Sequence, residues 1–391
     1  MILSVLMAST GAYAQHKSPE SPYASIGATG VSYAGPGRES AFDLPGPTIR
    51  IGILAPMHGP EKADGTAILT AAKMALQDSS RQPLPGGLHL SLSIADESVP
   101  PWGILGDEII HLVVQQKVVA IVTGADGVAA HLSEQIGNKI GVATLTLSGD
   151  DTATEINLPW IFRMGPSDRQ QAQVIAGNIY LVRGFRRVLL VSGDDHDGRI
   201  ASREFMDAVR KLGEPTPAVL HINPLQPDAG SLLAMIRTKS PQAIVFWTRP
   251  EIAKKLIQEM GSAGVRIPIY LSQQTAQIGS GLKFRGLNTA GVKGPLGAGI
   301  YTVASKQDKA PSDQSFVRRY LLATGAFPSP VAAEAYDAVR LVAQAVRKAG
   351  PNRARVRDRV AVIQNFAGVS GIISFDNQGN NSTDASLVRL Q

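Results

Sequence analysis

From Thr48 onward, short apolar runs rich in β-branched residues alternate with amphipathic stretches, and the alternation keeps the same rhythm almost to the C-terminus. The first runs are IRIGIL (49–54), LHLSLSIA (88–95), VVAIVT (118–123) and GVATLTL (141–147). A second set follows: RRVLLVS (186–192), PAVLHI (217–222), QAIVFW (242–247) and IPIYLS (267–272). Between them lie helical patterns such as TAILTAAKMALQDSS, DRQQAQVIAGNIYLV and PEIAKKLIQEMGSAG, the last closing on glycine as helices tend to. Strand-length runs separated by helix-length stretches predict βα units and parallel sheets. Two series of four, restarting near WIFRMGPS (160–167), predict an α/β protein of two doubly wound lobes.

Before Thr48 the texture differs. Residues 15–47 hold five Ser, five Pro and five Gly with no apolar period, which reads as a flexible leader. Residues 1–14, MILSVLMASTGAYA, combine an apolar stretch with Ala12-Tyr13-Ala14, a small-x-small cleavage pattern, and read as a secretory signal. No later stretch nears the roughly 20 apolar residues that span a bilayer.

Composition removes several classes of chemistry. The chain has 391 residues, more than one ordinary core, and no cysteine, so disulfides, thiol catalysis and thiolate metal sites are excluded. The net charge of +6 comes partly from RGFRR (183–187) and RKAGPNRARVRDR (347–359), neither interleaved with aromatics, so nucleic acid is not an expected partner. There is no G-x-S-x-G elbow, no phosphate-binding Walker loop and no G-x-G-x-x-G after a strand, which argues against an enzyme. The loop GDDHDG (193–198) has the oxygen-rich, single-imidazole make-up of a cation loop, but an Asp capping the next helix is the preferred reading; no metal and no cofactor are expected. DNQGNNSTD (376–384) lacks the Gly and Glu offsets of a calcium loop and is expected to be a surface hairpin.

In open parallel sheets, ligands sit beyond the carboxyl ends of the strands. Those loops here carry Asp64 in MHGPEKADG, Asp126 and Val128 in GADGVAAH, Ser148 and Asp150 after the fourth run, Asp197, Trp247 with Thr248, and Gln273 in QQTAQ. Trp247 suits either the core or an aromatic cleft wall, and His58 and His131 read mainly as polar loop residues.

IRIGILAPMHGPEKADGTAILTAAKMAL, AIVTGADGVAA, IFRMGPSDRQQAQVIA, AEAYDAVRLVAQAVRKAG and FAGVSGIISFDNQGN, in this order, resemble the type I periplasmic solute-binding proteins of the Leu/Ile/Val-binding group. The resemblance runs from about residue 48 to the C-terminus. It implies a first lobe of 48–164 and 300–368, a second lobe of 165–299 and 369–391, and crossings near 163–166, 299–303 and 367–371. It further implies an exported, periplasmic monomer that hinges shut on a small solute and delivers it to an ABC permease in the inner membrane. A sensing or accessory module of the same fold is the alternative. Relatives that bind amino acids grip the α-carboxylate with hydroxyls. Val128 stands where one such hydroxyl is expected, Asp150 stands near a common Thr with Ser148 retained, and Asp64 and Asp197 stand where Tyr is frequent. The expectation is therefore a cleft in which Asp150, with Ser148 and Asp126, selects against free carboxylates in favour of an amine, amide, hydroxyl or bound cation; the alternative is that Asp150 and Asp151 cap the following segment and point to solvent.

Overall fold

The computed structural model describes residues 33–156, 158–277, 299–305 and 311–390; the expected signal segment lies outside them. The first sheet is wholly parallel and contains β1 (Thr48–Ala55), β2 (His89–Asp96), β3 (Ala120–Thr123), β4 (Ala143–Thr146) and β5 (Ile161–Arg163), in the order β2-β1-β3-β4-β5. The second contains β6 (Val188–Gly193), β7 (Ala218–Ile222), β8 (Ala243–Trp247), β9 (Ile269–Leu271) and β10 (Ile300–Ser305). Two short strands, β11 (Phe366–Ala367) and β12 (Ile372–Ile373), pair with each other, and β13 (Ala385–Leu390) closes the second sheet as its antiparallel edge, giving β13-β10-β9-β8-β6-β7. All eight predicted runs are strands, four in each sheet.

The central strands β1, β3, β4, β6, β8 and β9 are buried and read as continuous apolar runs, whereas the edge strands β2 and β7 are only partly buried and β2 alternates. Ile49, Ile51 and Ile53 are fully buried in the largest core, against Ala71, Ala72 and Ala75 of the helix Lys62–Ser80 and the inward face of the helix Pro330–Ala349. Alanine on the contact face lets these two helices approach closely, and each isoleucine so buried contributes roughly 1.5–3 kcal/mol. The second lobe has separate cores on the two faces of its sheet, one around Phe205 and Trp247, the other around Leu256 and Phe246.

The first passage between lobes follows β5, where Ser167 and Gln170 form a reciprocal capping box that starts the helix Asp168–Ala176. Two expected passages fall later than the resemblance implied. Ile300–Ser305, expected to open the returning first-lobe segment, pair in the second sheet, with β9 and β13. Val369, Ile373 and Phe375, expected in the second lobe, belong to the first-lobe core. The third passage therefore runs through 376–384, the expected surface hairpin. It is partly buried against the first passage: Asn381 donates to the Met164 carbonyl at 2.8 Å, and the Gly379 carbonyl accepts from the Arg163 amide at 2.8 Å. Gly379 has φ of +80°, and a Cβ there would stand 2.2 Å from the Ile161 carbonyl oxygen, so only glycine fits.

The leader also departs from expectation over 33–47. Arg38 pairs with Asp358 at 2.7 Å, Asp43 with Arg355 at 2.6 Å, the Leu44 amide donates to the Pro351 carbonyl at 2.7 Å, and Tyr33 meets the Trp160 ring edge-on at 4.8 Å. The segment is fastened to the first lobe because its few polar and aromatic groups find specific partners there, which composition alone does not reveal.

Candidate functional site

In each sheet the chain reverses its direction of winding once, between β1 and β3 in the first and between β6 and β8 in the second. At such a switch point adjacent loops part and leave a crevice. The two crevices face each other and enclose a cavity of about 210 Å³, lined from one side by Pro56, Glu61, Asp64, Glu97, Asp126 and Val128 and from the other by Asp168, Asp195, His196, Asp197, Trp247 and Arg249, among others.

The first-lobe wall is built by close backbone approaches. A Cβ at Gly65 would lie 1.7 Å from the Pro56 carbonyl oxygen, so glycine there lets the helix Lys62–Ser80 press its N-terminal turn, with Asp64, against the end of β1. Glu97, one residue past β2 and nearly buried, accepts the Gly124 amide at 2.7 Å and the Asp126 amide at 3.4 Å, shaping the loop after β3. Asp126 caps the helix Gly127–Ile140 by accepting the Ala129 amide at 2.8 Å.

In the second lobe Asp195 caps the helix His196–Lys211 through the Gly198 amide at 3.0 Å, as the sequence led one to expect of this loop. Trp247 ends β8, packs on Phe205 in the core and still lines the cavity, so both readings of it hold; its indole hydrogen-bonds Asp168 beneath the cavity. The lobes touch around the cavity. Gly127 donates its amide to both Asp197 oxygens at 3.2 Å, His196 Nε2 meets Asp150 Oδ2 at 2.7 Å, Arg249 meets Glu61 at 3.1 Å and Gln274 donates to the Ala125 carbonyl at 3.3 Å.

The electrostatics are one-sided. Glu61, Asp64, Glu97, Asp126, Asp168, Asp195 and Asp197 line the cavity, while among the described residues Arg249 is its one arginine or lysine, and it is already engaged with Glu61 and with Asp195 at 3.5 Å. Burial, reinforced by Glu61 and Glu251, pushes the Asp64 carboxyl up to about 7. Burial and then Asp126 raise Glu97 well above the carboxylate range, burial and then Asp151 and Asp150 do the same for Asp168, and burial with Asp126 and Asp150 does so for Asp197. Carboxyl groups that are crowded, desolvated and short of cations favour a positively charged guest.

Of the residues anticipated from sequence, Asp64, Asp126, Val128, Asp197, Trp247 and Thr248 lie around this cavity. Gln273 lies beside a smaller adjoining pocket, with its amide on Gln171 and its side chain on Glu334 at 3.0 Å; its neighbour Gln274 takes the cavity position. Ser148 and Asp150 do not line the cavity. Arg163, fully buried, reaches their two carbonyls at 2.5 and 2.6 Å, and Asp151 accepts the Arg169 amide at 2.7 Å, so the paired acids are first of all part of the frame that holds β4 to the first passage. The Asp150 carboxylate is turned to the seam between lobes, held by Thr152, His131 and His196. The reading missed Glu61, Glu97, Asp168 and Arg249. Glu97 and Arg249 were findable, since each is the second residue beyond a predicted strand run and obeys the strand-end rule already applied to its neighbours.

The family model described as periplasmic binding protein matches residues 48–391. The chain is 23% identical over 310 residues to Leu/Ile/Val-binding protein homolog 3 of Brucella melitensis, spanning 77% of this chain and 79% of that protein. It is similar in structure to a leucine binding protein, LivK, of Thermotoga maritima, at TM-score 0.75 and 18% identity over 88% of this chain and 95% of that one. It is similar also to an ABC transporter solute binding protein of R. palustris solved in complex with benzoate, at TM-score 0.75 and 21% identity over 88% and 93% of the two chains.

Proposed function

Because the chain belongs to the periplasmic binding protein family, whose members bind solutes rather than catalyse reactions, we propose that it is an exported, monomeric receptor that closes on a small polar solute carrying at least one amine or other cationic group and delivers it to an ABC importer of the inner membrane. The observation that carries this reading is the ring of seven carboxyl groups about the cavity, opposed by an arginine that two of them already occupy. A solute presenting only a carboxylate would find no free cation among the described residues to pair with in a water-poor space, since Arg249 is already engaged, and an unpaired buried charge costs several kcal/mol. A cation instead recovers the energy stored in the crowded acids. Val128 in place of a hydroxyl points the same way, since it offers a carboxylate nothing to bond.

Isothermal titration of the mature protein against diamines, guanidines, ω-amino amides, neutral amino acids and aromatic carboxylates tests this. An amine or guanidine is expected to bind tightest and to raise the unfolding free energy by about 2.7 kcal/mol at 100 times its dissociation constant. Its binding enthalpy is expected to change with the ionisation enthalpy of the buffer, because a cation arriving beside Asp64 and its neighbours drives off protons held by their raised affinities. A benzoate-like or aliphatic carboxylate without an amine as the tightest ligand would overturn the reading.

A further inference from the structure

At the seam between the lobes, beside the solute cavity, two imidazoles converge on one carboxylate oxygen. His131 projects from the helix Gly127–Ile140 and Asp150 from the loop after β4, both in the first lobe; His196 is the first residue of a second-lobe helix. His131 Nε2 stands 3.4 Å and His196 Nε2 2.7 Å from Asp150 Oδ2, and one ligand-type atom from each residue lies within 4.8 Å of the others. The rings meet edge to face at 5.8 Å. We propose that His131, Asp150 and His196 form a binding site for a divalent transition-metal ion, Zn²⁺ above all, that ties the second lobe to the first.

The donor set suits such an ion: neutral imidazole and carboxylate are borderline ligands that Zn²⁺, Ni²⁺ and Cu²⁺ accept, while Ca²⁺ and Mg²⁺ ask for oxygen alone. With metal–ligand bonds near 2.0–2.2 Å, tetrahedral donors stand about 3.4 Å apart. The His131–Asp150 pair already has that spacing, His131 Nε2 exchanges its 2.8 Å bond to the Thr152 hydroxyl for the metal, and His196 must withdraw by roughly 0.7 Å, from a hydrogen bond to a shared metal. His196 is exposed, so the ion has an entry path and the side chain has room to move. The other carboxylate oxygen, Asp150 Oδ1, is fixed by the Thr152 amide at 2.9 Å and its hydroxyl at 2.7 Å, which orients Oδ2 toward the imidazoles, the kind of outer bond that ligating carboxylates carry.

A second observation is independent of this geometry. One turn beyond His131, Glu134 is fully buried and neither of its oxygens has a hydrogen-bond partner. Burial drives its pKa up to about 7, and His131 is the charged group that opposes this. A dication on that imidazole would offset part of the cost of burying this acid. The acids of the solute cavity do not converge in this way: among the described residues, His131, Asp150 and His196 are the group that could surround one ion. In the open receptor His131 and Asp150 remain together and His196 departs, so the ion's third protein ligand is present only on closure.

The test uses the metal-free mature protein with any affinity tag removed, titrated with ZnCl₂ and CoCl₂ and followed by calorimetry, visible absorption and small-angle scattering. One equivalent is expected to bind, Co²⁺ to develop the d–d absorption of an N/O site, and the radius of gyration to fall. His131→Ala and His196→Ala are each expected to weaken Zn²⁺ binding by at least about tenfold. His58→Ala, which removes the exposed imidazole paired with Asp96, is expected to change nothing. His196→Ala alters an exposed side chain, so far-UV circular dichroism should certify that it stays folded. Absence of saturable binding, or unchanged affinity in both His131→Ala and His196→Ala, overturns the site; loss in His131→Ala alone, with the scattering unmoved by metal, overturns its bridging of the lobes.

Discussion

Gly127 and Asp197 meet across the cleft so closely that the glycine has no room for a side chain: its amide donates to both carboxylate oxygens at 3.2 Å, and a Cβ would lie 2.4 Å from Asp197 Oδ1 and 2.8 Å from Asp150 Oδ2. The Asp197 contact joins the two lobes, whereas the Asp150 contact lies within the first lobe. Gly127→Ala is therefore expected to lower solute affinity at least about tenfold, or 1.4 kcal/mol, and to leave the melting temperature of the ligand-free protein unchanged or slightly lowered, since the helix-forming advantage of alanine is offset by the approach to Asp150 that remains within the first lobe. Titration of the identified solute, with scattering to follow closure, checks this. Unaltered affinity would mean that the contact can be given up without cost.

The fastened leader yields a second expectation. A chain beginning at Thr48 loses the Arg38–Asp358 and Asp43–Arg355 pairs, the bond from Leu44 to Pro351 and the cover that Tyr33 gives to Trp160. The ion pairs are half exposed and contribute little individually. The aromatic contact and the Leu44 packing matter more, and the whole is worth about 2 kcal/mol. Urea unfolding of the chain from Tyr33 against the chain from Thr48 should show that difference, with solute affinity equal in both because the segment lies away from the cavity. A difference under about 0.5 kcal/mol would return the segment to the status of a tether.

How much of this was open to a reader of the sequence can be judged residue by residue. The strands were, because the central ones must be apolar on both faces, the edge strand β2 shows apolar alternation, and the runs are bounded by Gly, Pro and Asp. So was the acid character of the strand ends, Asp64, Asp126 and Asp197 included. β10 was assigned to the wrong lobe because nothing in GIYTVAS records which sheet an outlying strand joins; that depends on β9 and β13, one of them some eighty residues away. Asp150 was placed in the cleft for a related reason. Its true neighbours are Arg163, which makes its backbone structural, and His196, 46 residues on and in the other lobe. A pairing between groups carried by two different lobes leaves no local trace in either.

Arg163 itself offers a sharp test of that framing role. It is fully buried and donates to the Ser148 and Asp150 carbonyls and, at 2.8 Å, to Thr154 Oγ1. Arg163→Met keeps the stem and leaves those acceptors buried without donors, and is expected to cost about 3 kcal/mol or more. Arg163→Lys, a single point donor in place of a fork, should recover only part of this. Chemical denaturation of the two variants checks the order, and equal stability of all three proteins would show that the frame does not depend on the guanidinium.

The pH dependence of stability follows from the buried acids. Glu334, on the helix Pro330–Ala349 beneath the first passage, is nearly inaccessible to solvent; burial pushes its carboxyl up to about 8, and the one bond it receives, from Gln273 at 3.0 Å, offsets only part of that. A carboxyl with a raised pKa binds its proton more tightly folded than unfolded. Its contribution is intact below the ordinary value of 4.5 and is lost as pH climbs from there to about 8. Asp64 and Glu134, each raised to about 7 chiefly by burial, act in the same direction. The solute-free protein should thus melt at a higher temperature near pH 5 than near pH 8. Glu334→Gln keeps an acceptor for Gln273 and cannot ionise, so its stability relative to the parent should improve by about 2 kcal/mol or more between those two pH values. If the difference between the two proteins stays constant across that range, Glu334 is charged throughout, and the buried acids of this lobe are better solvated than their surroundings suggest.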